Sequence, residues 1–459
     1  MNLEEQSFDV SQERKEIYGE IATDFDVIDQ MLDQLPLSLF QDPNTRWLDV
    51  GAGRGYFAKA IFNRLYLSLA PALPDPAERR THILRDMLYM IELNELHRAY
   101  LLSTFGEKAN VIIGDFLTYQ PHCSYDVIVG NPPYNSHGAI KVPSNNERDK
   151  RDDGRTVWPL FIRHAVSLLA PSGYLNFITP SMWLRPDRAK TYDFMHTLTI
   201  LKAKCLSCSE TSRAFHGHAQ TPTCIFTLQN IPTTEGVGEE RTIELYDRTH
   251  QSYVSYAYFV GESIPLFGAS VVKKLRPYVR QYGHAIVYKT NLPPRDVKLS
   301  PHQDKTTRYP NIKTCLLENS EPKLVIEYSN KKLKYREVKK LVMAHKMYGF
   351  PYDDAEGTYG ISNRDNYIMV LPDSTERKRW QDFLSTKTAL FIFEAARYRM
   401  RYLEKEAFMF IPNILDMPNF PKSIVDETLF EFFELSDLEK THILTFHKKE
   451  YKKIEGTHS

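Results

Sequence analysis

No stretch of the 459-residue chain approaches the roughly 18 uninterrupted apolar residues needed for a membrane-spanning helix. The acidic start, MNLEEQSFDV, is no signal peptide. Cysteine is scarce: five residues, an odd number spread thinly, form no disulfide framework and point to a reducing compartment. The expectation is a soluble intracellular protein. No internal repeat is present, and net charge is absent too, at a formal zero. The simplest mark of a polyanion binder is therefore missing. What remains is a globular composition, 42% hydrophobic and 25% charged, in a chain long enough for two or three domains.

The charge is segregated rather than lacking. Residues 1–36 carry 10 acidic and 2 basic side chains, a balance of −8, whereas residues 271–346 carry 18 Lys and Arg against 6 Asp and Glu, a balance of +12. A basic segment interleaved with Tyr282, Tyr288, Tyr309, Tyr328 and Tyr335 has the pattern of a nucleic-acid face, although a solvated lysine-rich surface has the same composition. Lys331, Lys332, Lys334 and Arg336 are the densest basic run and the candidates for backbone phosphates.

Helical spacing fits SQERKEIYGEIATDFDVIDQMLDQL, with Val27, Ile28, Met31, Leu32 and Leu35 on one stripe. Strand-like runs then alternate with helical ones: RWLDV, MLYMIEL, ANVIIGD, YDVIVG and GYLNFITP. LKAKCLSC and TPTCIFTLQN read as a hairpin across a loop carrying Phe215, and the polar stretch from Asn135 to Arg155 reads as a mobile loop. This alternation predicts an α/β class with a doubly wound, mostly parallel sheet over about residues 1–230. IPTTEGVGEER is a plausible linker, and residues 240–459 read as a mixed α/β recognition domain ending in helices such as TKTALFIFEAARYRMRYLE.

DVGAGRG, Asp49 to Gly55, falls where a strand's carboxyl end turns into a helix, the ligand-binding edge of open α/β sheets. Its glycines allow close backbone approach, but the Lys-Ser/Thr of a phosphate loop is missing. Glu92 and Asp115 stand at the ends of the next two strands, where acids can grip ribose hydroxyls and an adenine amino group. Taken singly, each acid could be a helix cap; together with the glycine loop they describe a site for an adenosine without phosphates. S-adenosyl-L-methionine fits, since its sulfonium suits an acid-lined crevice.

DVIVGNPPYN ends a buried-strand run in Asn131, Pro132, Pro133 and Tyr134. In their order, YGEIAT (18–23), DVGAGRGYF (49–57), IELN (91–94), GDFL (114–117), NPPY (131–134), GYLNFITPSMWL (173–184) and FHGHAQTPTCIF (215–226) resemble the motifs of gamma-class, TaqI-like N6-adenine DNA methyltransferases. KLVMAHKMYGF, YGISNRDNYIMV and LFEFFELSDLEK resemble parts of the target-recognition region of such enzymes. The resemblance implies a class I methyltransferase fold, S-adenosyl-L-methionine as cofactor, and flipping of a target adenine out of double-stranded DNA. It implies cofactor contacts from Thr23, Asp49, Gly51, Gly53, Glu92, Asp115 and Phe116. It assigns catalysis to Asn131, Pro132, Pro133 and Tyr134, with Phe215 a second aromatic wall beside Tyr134. A monomer is expected, and with only about a dozen residues before the methyltransferase-like region no N-terminal nuclease domain is expected; a separate restriction endonuclease acting at the same site is admitted.

Chemistry agrees with the assignment. The lone pair of an adenine amine is delocalised into the ring, and two acceptors aimed at its N–H bonds would free it. The Asn131 amide oxygen and the Pro132 carbonyl can be those acceptors, with proline's fixed φ setting the carbonyl direction. Tyr134 offers a face on which an extruded base can stack.

Rival readings are a glutamine N5-methyltransferase acting on release factors, an N4-cytosine or RNA adenine methyltransferase, and a catalytically silent DNA-binding subunit. The mass beyond residue 230 and its basic segment favour DNA; intact Asn131, Tyr134, Glu92 and Asp115 favour activity. Zinc is not expected: Cys205, Cys208, His216 and His218 have neither the gap nor the histidine spacing of a structural site.

Overall fold

A computed structural model describes residues 22–136, 156–217, 219, 221–233, 236, 238–318, 321–345, 349–399 and 403–446. The expected loop at 137–155, the start of the first helical pattern and His218 lie outside these residues. The chain divides into two compact units, Met1–Leu245 with Ala257–Glu262, and Tyr246–Tyr256 with Ser263–Ser459.

The first unit is built on β1 (Trp47–Val50), β2 (Leu88–Glu92), β3 (Asn110–Ile113), β4 (Tyr125–Gly130), β5 (Leu169–Pro180), β6 (Leu198–Leu206) and β7 (Thr223–Pro232), followed by β8 (Glu240–Asp247) and β9 (Ser252–Phe259). Their order in the sheet is 3-2-1-4-5-7-6-8-9. β1 to β5 run parallel, and β7 lies antiparallel to both β5 and β6. This is the doubly wound, mostly parallel sheet expected of an α/β fold. The chain order reverses between β1 and β4, which opens a crevice at their carboxyl ends. Trp47, Leu48, Val50, Val127, Ile128 and Val129 are all fully buried, so these strands need apolar residues on both faces.

Two details decide how close the site's halves come. Val50 pairs with Gly130 at the last rung of β1 and β4. A Cβ at Gly130 would lie 2.6 Å from the Val50 carbonyl oxygen, so only glycine permits this approach. Helix 56–68 follows the glycine loop, and a Cβ at Gly55 would meet the Phe105 ring at 2.8 Å. Gly55 is thus a packing requirement as well as a left-handed turn, with φ +77°.

Three expectations need correction. Among the described residues, the helix that carries the apolar stripe begins at Phe25, because the Asp24 carboxylate accepts from the Asp26 N–H at 3.2 Å and caps it, leaving Thr23 outside the helix. The hairpin of β6 and β7 is spanned by helix Cys208–Ala214 with a Ser207/Glu210 capping box, not by a plain loop. Residues 231–241 are no linker: β8 adds to the same sheet beside β6, with Lys202 opposite Glu244, so the chain leaves the first unit only after Leu245.

The second unit holds two four-stranded sheets. The strands are β10 (Tyr288–Lys289), β11 (Leu299–Ser300), β12 (Tyr309–Glu318), β13 (Glu321–Ser329), β14 (Lys340–Ala344), β15 (Tyr352–Asp354), β16 (Gly360–Ile361) and β17 (Asn366–Val370), in orders 10-17-14-15 and 11-13-12-16. Among the described residues, helices Ala269–Tyr282, Ser374–Leu384, Lys387–Ala395, Asp426–Phe432 and Asp437–Thr445 complete it. Among the described residues no helix is long and apolar enough to cross a membrane.

Lys340, fully buried on β14, is paired with Asp354 and also donates to the Tyr335 carbonyl at 2.9 Å and the Tyr359 carbonyl at 2.7 Å. Burial lowers its pKa, and Asp354 opposes that shift. Lys340→Ala strands a buried carboxylate and should cost about 3–5 kcal/mol in chemical denaturation. Lys332→Ala, which opens only an exposed pair with Glu337, should leave the midpoint unchanged. Equal effects would contradict this account.

Candidate active site

The glycine loop is held by two acids. Gly53 donates its N–H to Glu92 Oε2 at 2.7 Å, and Asn94 donates to Glu92 Oε1 at 2.8 Å. Glu92, 6% exposed at the end of β2, thus ties the loop after β1 to the turn after β2. Each of its oxygens keeps a further lone pair for a ligand hydroxyl. Gly51 and Gly53 have positive φ, and a Cβ on Gly51 would meet nothing within 4 Å. The loop therefore presents bare backbone to an open side.

Asp49 is fully buried; its Oδ2 accepts from the Ala58 N–H at 3.1 Å, in the first turn of helix 56–68, while its Oδ1 has no partner. Burial pushes its pKa up to about 8; the Ala58 hydrogen bond opposes this and the nearby Glu92 charge adds to it. An unpartnered buried carboxylate oxygen beside an open glycine loop fits a ligand bearing a positive charge or hydrogen-bond donors.

Asn131 begins the rigid segment after β4. Its amide Nδ2 donates to Thr23 Oγ1 at 3.1 Å. Its Oδ1 is buried and has no partner, and among the described residues no donor meets the Pro132 carbonyl. Two acceptors on adjacent residues are thus left without protein donors. The Tyr134 hydroxyl is also buried without a partner, and burial pushes its pKa well above the ordinary phenol value. The Tyr134 carbonyl accepts from Val157 N–H at 3.1 Å, and Asn135 bridges to Thr156, which fixes the segment on its far side.

Tyr134 and Phe215 meet edge to face, with centroids 6.4 Å apart and planes at 87°. Phe215 is 0% exposed, so it backs Tyr134 from within the core rather than offering a free face. Asp115 is exposed at the end of β3, and its Oδ1 caps the following turn through Leu117 N–H at 2.9 Å. Phe116, next in sequence, is buried and stacked on Phe161 at 5.5 Å. Thr23, placed near the cofactor by resemblance, accepts from Asn131; the sequence held no local sign of this partnership, which spans 108 positions.

In the second unit, two of the four basic candidates are neutralised. Lys331 pairs with Asp296 at 2.5 Å and Lys332 with Glu337 at 2.6 Å. Lys334 lies over the Tyr335 ring, and Arg336 over Tyr309 while donating to the Thr358 carbonyl. Lys289, Arg295, Lys298 and Lys305 are exposed and have no carboxylate partner among the described residues. Exposed Ile286, Tyr288, Leu292 and Leu299 interleave with them.

Comparisons with known proteins agree with the geometry. The model of the Eco57I restriction-modification methylase family matches residues 72–206. A tRNA1(Val) (adenine(37)-N6)-methyltransferase from Aliivibrio fischeri is 30% identical over 161 residues, 34% of this chain and 62% of that protein. Type II methyltransferase M.TthHB8I from Thermus thermophilus is 33% identical over 90 residues, 17% of this chain and 21% of its own, and M.PaeR7I from Pseudomonas aeruginosa is 28% identical over 194 residues, 37% and 33%. The chain thus spans less than two thirds of each of these relatives. Among solved structures, the M protein of the type I restriction enzyme EcoKI aligns over 47% of each chain with 15% identity and a TM-score of 0.36. The similarity throughout is to methyltransferases, several of restriction–modification type.

The buried Asp49 makes stability depend on pH. Its folded pKa is raised, so the contribution of the neutral carboxyl is fully present below about pH 4, the ordinary value, and is lost as pH rises towards about 8. Asp49→Asn should therefore gain stability relative to the wild type across that window, at up to about 1.4 kcal/mol per pH unit, and level off above it. Parallel stability curves for the two proteins would contradict a neutral buried Asp49.

Proposed function

We propose that the protein is an S-adenosyl-L-methionine-dependent, site-specific N6-adenine DNA methyltransferase with the gamma-class order of motifs. The observation that carries this reading is the pair of donor-free acceptors at Asn131 Oδ1 and the Pro132 carbonyl, beside an open glycine loop. An amine with two N–H bonds is the group that such a pair satisfies. The relatives support the identity of the amine, since the tRNA enzyme acts by name on adenine N6. The type II methyltransferases and the segregated basic unit support DNA as the polymer. The relative that acts on tRNA makes RNA the second reading.

The cofactor supplies an electrophilic methyl group. Glu92 would receive ribose hydroxyls on its remaining lone pairs, Gly51 and Gly53 would let the ligand approach the backbone, and Asp49 Oδ1 would be free to accept a hydrogen bond from it. Asp115, exposed beside the crevice, accepts from the adenine amino group of the cofactor, with Phe116 fixing the turn that holds it. Asn131 and Pro132 accept the two N–H bonds of the target amine and draw its lone pair out of conjugation; Pro133 keeps the segment rigid. The product ammonium loses a proton to water. Tyr134, backed by Phe215, carries the extruded base by stacking. The protein acts on double-stranded DNA, either as a solitary methyltransferase or as the protective half of a restriction–modification pair.

Two outcomes follow. Asn131→Ala should slow methyl transfer to duplex DNA by about 10²–10³ while cofactor affinity measured by calorimetry stays near normal; normal turnover would refute the assigned role. Charge reversal at Lys289, Arg295 and Lys298 together should weaken binding to all duplex sequences alike and flatten the salt dependence of binding, with a larger effect than reversal at the already paired Lys331 and Lys332. Unchanged affinity in the first variant would make this segment a solvated face.

A further inference from the structure

We infer that Thr23 is a positioning residue whose hydroxyl holds the Asn131 carboxamide with its oxygen towards the target amine. The inference rests on the reading of Asn131 as an amine acceptor. A carboxamide is asymmetric: one end accepts and the other donates, and the two ends have nearly the same shape. Turned about, Asn131 would aim an NH2 group at an NH2 group and offer the amine nothing. Its surroundings must therefore hold one end in place.

Thr23 does this. It is buried, 3% exposed, and its Oγ1 receives the Asn131 Nδ2 hydrogen at 3.1 Å, while Oδ1 at the other end of the amide is buried and unpartnered. Thr23 is itself fixed by its neighbour: Asp24 caps helix Phe25–Leu32 through its side chain, and the Asp24 N–H reaches the Ala214 carbonyl at 3.4 Å. Ala214 immediately precedes Phe215, which packs against Tyr134. One short run of backbone thus locates both the partner of Asn131 and the support of Tyr134. Threonine suits the position because branching at Cβ restricts the hydroxyl to few rotamers.

Valine at position 23 keeps the shape and removes the acceptor. Both ends of the amide then lack a protein partner, and its oxygen faces the amine for only part of the time. Thr23→Val should lower the single-turnover rate of methyl transfer by about 10- to 100-fold, with the dissociation constant for S-adenosyl-L-methionine and the KM for DNA within about 2-fold of wild type. Thr23→Ser restores the hydroxyl and should recover most of the rate, and melting temperatures exclude misfolding as the cause. Adding Thr23→Val to Asn131→Ala should bring almost no further loss, because the two residues act as a unit.

A readout without catalysis separates this inference from the functional reading beneath it. In the cofactor-free protein, the Asn131 side-chain amide 15N resonance, assigned by its loss in Asn131→Ala, should shift in Thr23→Val, with faster hydrogen exchange, and return in Thr23→Ser. An unmoved resonance overturns the inference even if the wild type methylates adenine. A moved resonance in a protein that does not methylate DNA upholds the contact and overturns the function. Loss of cofactor affinity in proportion to rate would also overturn the inference, by placing Thr23 at the cofactor.

Discussion

The closeness of β1 and β4 at their carboxyl ends is the constraint from which the site follows. Val50 and Gly130 share the last rung, and the missing Cβ of Gly130 lets the Val50 carbonyl stand where a side chain would be. The residues that follow each strand, Gly51 on one side and Asn131 on the other, leave the sheet as neighbours at the point where chain order reverses. The open glycine loop and the Asn-Pro-Pro-Tyr segment are consequently brought to one crevice.

Around that crevice the polar groups are divided between holding the backbone and facing an open space. Glu92 spends one lone pair of each oxygen on the Gly53 and Asn94 N–H groups, and Asp49 spends one oxygen on helix 56–68. Asp49 Oδ1, Asn131 Oδ1 and the Tyr134 hydroxyl are buried and left over. Buried polar atoms without partners are costly in a finished core. Where β1 and β4 end, these three leave two acceptor oxygens and a hydroxyl free to meet a ligand.

The sequence reported well on what is local. The β-branched run of β4, the glycine turn and the acids at the ends of β2 and β3 lie within a few residues of the features they control, so pattern alone located them. The edge contact between Tyr134 and Phe215 joins residues 81 positions apart, and the hairpin expected from Cys205 and Cys224 carried it; the burial of Phe215 had no such sign. The contact of Thr23 with Asn131 had no such sign, because the partners lie 108 positions apart and because Asp24, which caps the helix beginning at Phe25, looks like one more polar residue in a helical stripe. Charge counting located the basic segment but could not see Asp296 and Glu337 folding onto Lys331 and Lys332. Free charge depends on pairing across strands, and composition holds none of that.

Incubating duplex DNA and unfractionated RNA and protein with the enzyme and S-adenosyl-L-methionine carrying a deuterated methyl group, then analysing nucleosides and amino acids by mass spectrometry, tests the central claim most directly. The account predicts label in N6-methyl-2′-deoxyadenosine at a defined sequence context, and its loss in Asn131→Ala. Label confined to RNA adenine, to cytosine N4 or to protein glutamine, with none in DNA adenine, would contradict it.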